Sequence, residues 1–217
     1  MEQARVLHIG IKNYPFDSAF NSHKLKGLRG GGMNKYCDIL LKNMPDSVDS
    51  YLIVQKLPGQ KKFEEIRGLN VYRLNTVGGR KIRQLVVVIR SLFLAFRIIR
   101  KKKITILHGH MIHGIVIVFI LKYFFQIPIV GTPYSFVTYG FKNWLSKFNK
   151  LLEKFIYPKL NKIIFETDGN LEKAKTLRNL KLNNATVIYT GIELPSVVIE
   201  KRDYKKKLHS KQAVKRD

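Results

Sequence analysis

Residues 104–132 read ITILHGHMIHGIVIVFILKYFFQIPIVGT, and this stretch decides the fold. Ile104 to His108 is a short apolar run, which predicts a buried strand. Ile112 to Phe125 is apolar for too long to be a strand and predicts a helix. Ile127 to Thr132 predicts a second strand. Parallel strands need a crossover of a dozen or more residues, usually a helix, so strand–helix–strand here reads as a parallel unit. The strands are continuous apolar runs rather than alternating ones, so both sheet faces are expected to be covered. Working outward, the alternation continues. Phe141, Trp144, Leu145, Phe148, Leu151, Leu152, Phe155 and Ile156 recur at helical spacing, KIIFET (162–167) predicts a strand, Asn170 to Leu180 a helix and Thr186 to Gly191 a last strand. Upstream, Val6–Gly10, Tyr51–Val54 and Leu69–Leu74 read as strands. Helices follow from Met33 to Met44 and from Gly78-Gly79 to about Lys102. The pattern predicts an α/β domain with a Rossmann-like, doubly wound, mostly parallel sheet and helices on both faces.

The chain has 217 residues, 45% of them hydrophobic, which excludes a disordered protein. With 40 Lys and Arg against 15 Asp and Glu, its formal charge is +25. Such a field attracts polyanions: nucleic acid, anionic lipid or phosphorylated small molecules. The alternative is that a Lys-rich, Ile-rich, Ala-poor composition reflects a genome's bias. Nucleic acid is disfavoured, because the aromatics fall at core spacings and no recognised nucleic-acid module is present. Cys37, the single cysteine, excludes an internal disulfide and lies on the apolar face of its helix, as a small core residue does. MEQARVLHIG has no signal-peptide pattern. The apolar stretches from Gln84 and Gly114 are interrupted by Arg90 and Arg97, and by Lys122 and Pro128, so neither reads as a membrane span. The basic, apolar-poor segment 196–217 reads as a tail, with the compact domain expected over 1–195.

Three features carry chemistry. Gly30, Gly31 and Gly32 stand at the mouth of the first helix, where bare backbone and the positive end of the helix favour phosphate. The pattern is neither GxGxxG nor a P-loop, and a hinge or plain N-cap stays open. His108 and His110 end a strand. No acidic or cysteine companion stands at a metal-ligand spacing, so no metal is assigned. His110 reads as lining a site and His108 as structural. No triad or carboxylate pair stands out, so no catalytic residue is assigned. Arg83, Arg90 and Arg97 repeat every seven residues, and 80–103 contains no acidic residue. Such a stripe suits an anionic bilayer, or is an ordinary solvated face.

In order along the chain, the strand ending at Gly10, the long loop with Tyr14-Pro15, and the glycines opening an amphipathic helix resemble the start of GT-B glycosyltransferases of the retaining family-four group. ILHGH (106–110) resembles that group's DVVHAH, IPIVGTPYSF (127–136) its IPVVYTVHG, KIIFETDGNLEKAK (162–175) its AVIAVSEALAEEL, and ATVIYTGIE (185–193) its KIVVIPNGVD. The resemblance implies the N-terminal, acceptor-side half of a GT-B fold, with the tail opening a second domain that would hold most of the donor site. It implies that Gly30–Gly32 approach the donor diphosphate, and that His110, Tyr134, Thr167 and Asp168 line the acceptor side. Tyr134 stands where the family often has histidine, Thr167-Asp168 where it has Ser-Glu, and Thr190-Gly191 where it has Asn-Gly. The implied function is transfer of a sugar from a nucleotide-sugar co-substrate, without a cofactor, to a hydroxyl acceptor, lipid-linked or polysaccharide, with a donor-domain partner. The isolated chain is expected to be inactive, and its location cytoplasmic or peripheral on the inner membrane face. The alternative is a non-catalytic module that keeps the fold and binds an anionic ligand or membrane surface.

Overall fold

The computed structural model describes residues 3–15, 32–75, 80–134, 144–189 and 191. The strands are β1 (Ala4–Ile9), β2 (Val48–Gln55), β3 (Phe63–Ile66), β4 (Leu69–Leu74), β5 (Ile106–His110), β6 (Ile129–Thr132), β7 (Lys162–Phe165) and β8 (Ala185–Val187). The helices are α1 (Gly32–Lys42), α2 (Arg80–Lys102), α3 (Met111–Phe125), α4 (Trp144–Ile156) and α5 (Asp168–Arg178), with a 3-10 turn at Tyr157–Lys159. One sheet of eight strands has the order β3-β4-β2-β1-β5-β6-β7-β8. Every ladder is parallel except β3–β4. This is the predicted doubly wound α/β architecture. The strand order reverses at β1, between β2 and β5, and such a switch point opens a crevice at the carboxyl ends of the strands.

Two differences from the sequence reading have plain causes. β3, FEEI, was not expected. It is a half-exposed edge strand, with Phe63 47% exposed, so it carries no buried apolar run. β5 lies two residues later than predicted, so His108 and His110 stand inside the strand rather than at and beyond its end.

Side chains alternate across the sheet. Leu7, Ile9, Tyr51, Ile53, Leu107, Ile129, Ile163 and Phe165 join one core with residues of α2, α3 and α4. Leu52, Val54 and Val71 pack on the other side with Tyr36, Cys37 and Leu41 of α1 and with Tyr14 and Tyr134. The residues between Leu7 and Ile9, and flanking Gly109, are the histidines. Backbone meets backbone where β1, β5 and α3 converge. A Cβ on Gly114 would lie 2.2 Å from the Ile9 carbonyl oxygen, and one on Gly109 2.7 Å from Ile115 Cα. Gly10 combines φ +105° with a would-be Cβ 1.9 Å from the His110 carbonyl oxygen. Only glycine fits at these close approaches.

Arg73, whose side chain is fully buried, ties β4 to the loop after β1. Its Nε and Nη2 donate to the Tyr14 carbonyl at 3.4 and 3.3 Å, and Nη1 donates to the Lys61 carbonyl at 3.1 Å and to Glu64 Oε2 at 2.8 Å.

Candidate functional site

Three imidazoles meet at the switch point. His8 and His108 are register partners across the β1–β5 ladder, and His110 follows two residues later on the same face. His8 and His110 are fully buried and His108 is 7% exposed. His8 Nδ1 lies 3.1 Å from His110 Nε2. His110 Nδ1 is 2.6 Å from Tyr134 Oη, and Tyr134 Oη is 3.1 Å from Cys37 Sγ. His108 Nε2 lies 2.9 Å from Thr132 Oγ1 at the end of β6. A polar chain thus runs from α1 through Tyr134 to β5 and β1.

Burial holds this chain neutral. Loss of solvation lowers His8 and His110 well below the usual imidazole range, and His108 to about 4. The neighbouring imidazoles push His8 and His110 further the same way. Burial also raises the Cys37 thiol to about 12 and the Tyr134 phenol well above its ordinary value. Cys37 is therefore the inert buried residue expected, but it also contacts the phenol of Tyr134. Near neutral pH these groups donate and accept hydrogen bonds as uncharged species.

The backbone turns sharply on both sides of the cluster. Met111, directly after His110, has φ 58°, and Tyr134, two residues after β6, has φ 60°. Left-handed backbone at bulky residues costs energy and collects at sites where the surrounding structure dictates direction. The turn at Tyr134 brings its ring under α1, edge-on to Tyr36 at 5.2 Å.

The expected acceptor-side residues therefore divide. His110 and Tyr134 are in direct contact. Thr167 and Asp168 lie beyond β7 at the mouth of α5, both exposed. Thr167 caps the helix by accepting from the Asn170 amide at 3.1 Å, and Asp168 accepts from the Tyr189 hydroxyl. Thr167 connects to the cluster through Asn170, whose Nδ2 donates to the Tyr134 carbonyl at 3.4 Å. Glu166, its carboxyl raised by burial, lies 3.4 Å from the same nitrogen. Gly32 opens α1 as its first residue, and Gly30 and Gly31 lie outside the described residues. His8 was missed as a site residue because it reads as part of a core strand, VLHIG. Its partner His110 is 102 positions away.

On the opposite layer, Arg90 and Arg97 of α2 are exposed, and the side chain of Arg83 lies outside the described residues. Arg90 Nη1 donates to the Asn75 carbonyl at 2.7 Å. Leu85, Ile89 and Phe93 of α2 are exposed as well, Phe93 at 69%. The buried side of α2 is instead Ser91, Ala95, Ile98 and Ile99. Tyr123 and Phe124 of α3 and Phe148, Leu151 and Phe155 of α4 are also exposed. From residue 80 to 165 the sequence has one acidic residue, Glu153, and it is buried. Among the described residues no helix is long and apolar enough to cross a membrane.

Comparison with known proteins agrees with this fold. The model of Glycosyltransferase Family 4 matches residues 30–195. No curated protein sequence matches significantly. Among solved structures, the chain resembles sucrose-phosphate synthase from Thermosynechococcus elongatus at 12% identity and TM-score 0.67, over 95% of this chain and 52% of that one. It resembles HepE from Anabaena, solved with UDP-glucose, at 13% identity and TM-score 0.62, over 98% of this chain and 50% of that one. The chain spans about half the length of these proteins, and at such identity the likeness concerns the fold.

Proposed function

Since the chain belongs to Glycosyltransferase Family 4, we propose that it is the acceptor-side half of a sugar transferase, moving a sugar from a nucleotide sugar to a hydroxyl group. The observation that carries this reading is the buried His110–Tyr134 pair at the switch point, where an open α/β sheet binds its ligands. The UDP-glucose held by the HepE structure supports a nucleotide sugar as donor. In this reading the backbone at Gly30–Gly32 and the positive end of α1 receive the donor diphosphate. Neutral His110 orients Tyr134, and Thr167 and Asp168 at the mouth of α5 border the acceptor. The donor-binding half comes from a second domain or a partner chain, so the described half alone has no turnover.

The acceptor is lipid-linked in this reading. Phe93, exposed beside Arg90 and Arg97, and the exposed Leu85 and Ile89 on the same helix, in a segment almost free of acid, suit an anionic bilayer on the cytoplasmic face. One observation favours the second reading, a non-catalytic binding module. Tyr134, with its phenol held protonated by burial, cannot exchange protons near neutral pH as a histidine would.

A single assay separates the two. The chain is offered a panel of nucleotide sugars and a membrane extract, alone and with a donor-binding domain of the family added. Transfer that depends on the added domain and is lost in His110→Ala supports the half-enzyme. Saturable binding of nucleotide sugar or acceptor without turnover in either condition supports the module.

A further inference from the structure

The imidazole cluster supports a conclusion independent of sugar transfer. One ring nitrogen from each of His8, His108 and His110 lies within 4.8 Å of the others. All three rings are buried.

A neutral imidazole has one N–H and one lone pair. His110 and His108 each place one nitrogen against an outer oxygen, Tyr134 Oη and Thr132 Oγ1. With the protons on those outer nitrogens, each ring presents its other nitrogen as a lone pair, and outer-shell oxygens of this kind fix the tautomer of metal-binding histidines. The 3.1 Å between His8 Nδ1 and His110 Nε2, a hydrogen-bond distance when no ion is bound, is also close to the spacing of two nitrogens on one tetrahedral ion, about 3.3 Å for bonds of about 2.0–2.1 Å. The ladder register supplies the third ring, His108, beside His8.

We propose that His8, His108 and His110 bind a divalent transition-metal ion of the zinc class. Imidazoles without a carboxylate suit zinc, cobalt, nickel or copper and disfavour the oxygen-seeking magnesium and calcium. Cys37 is not a ligand, because its sulfur approaches His110 at Nδ1, 3.9 Å away, whereas the nitrogen facing His8 is Nε2. Three protein ligands leave a fourth position open, as catalytic zinc sites do.

The test uses the full chain, stripped with chelator and shown to be folded, titrated with cobalt(II) and then with zinc. The expected result is uptake of one equivalent at micromolar concentration. The visible bands should be those of a low-coordinate, nitrogen-bound cobalt ion, without a sulfur charge-transfer band, and zinc should displace them. His8→Phe and His110→Asn each abolish this equivalent, and His113→Asn retains it. A folded wild-type chain that takes up no cobalt or zinc overturns the proposal without recourse to any variant. Uptake that survives in either His8→Phe or His110→Asn, or that carries a sulfur band lost in Cys37→Ser, overturns it as well.

Discussion

Gly114→Ala puts two physical effects in opposition. Within a helix, alanine is favoured over glycine by about 1 kcal/mol. At Gly114 the added Cβ would stand 2.2 Å from the Ile9 carbonyl oxygen and 2.9 Å from Gly10 Cα. These obstacles are backbone, so relief requires α3 to move about 1 Å away from β1, at the upper end of the overpacking range, about 3 kcal/mol. The net expectation is a loss of about 2 kcal/mol, which lowers Tm by about 4–8 °C in a domain of this size. Gly169→Ala is the control. It lies in the first turn of α5, where the nearest atom to the new Cβ is Thr167 Oγ1 at 3.9 Å, so propensity acts alone and stability rises by about 0.5–1 kcal/mol. Urea denaturation followed by circular dichroism measures both. If Gly114→Ala equals or exceeds the wild type while Gly169→Ala behaves as stated, the close convergence of β1 and α3 is refuted.

Three further outcomes are expected. Arg73→Ala removes the guanidinium donors to the Tyr14 and Lys61 carbonyls, leaving Tyr14 with only the longer bond from Gln60, and costs about 3 kcal/mol in urea melts, whereas Glu64→Gln, at a side chain 38% exposed that keeps an accepting oxygen, costs about 1 kcal/mol or less. Tyr134→Phe removes the hydroxyl facing His110 and Cys37 and costs about 1–3 kcal/mol by the same measurement. Cys37, buried and raised to about 12, resists a thiol reagent at pH 8 in the folded chain and reacts fully in denaturant; rapid labelling of the native chain would contradict its position.

The α/β class was legible because long apolar helices and continuous apolar strands alternate after residue 104, and burial on both faces of a parallel sheet demands that pattern. Edges and contacts were less legible. FEEI hides a strand because an edge needs no apolar alternation. The strand at LHGH was placed early because histidine and glycine resemble a loop, and here they are buried at a close approach of α3. His110 and Tyr134 could be named from the motifs at their strand ends. His8 could not, because strand pairing, which local spacing does not encode, brings it to His110. The basic stripe of α2 was visible as a seven-residue repeat. Leu85, Ile89 and Phe93 on the same helix satisfy the same helical spacing as core residues and are exposed by the choice of packing face.

The sheet also separates two kinds of evolutionary constraint. Along β1 and β5, Leu7, Ile9 and Leu107 face the apolar layer, whereas His8, His108 and His110 face the polar cluster. In a library covering every substitution, positions in these two strands should sort with a period of two. Changes at Leu7, Ile9 and Leu107 would register in protein abundance, and changes at His8, His108 and His110 in ligand readouts. Selection for a new specificity could then rewrite the second set while the first keeps the chain folded, so two neighbouring strands can drift at different rates residue by residue.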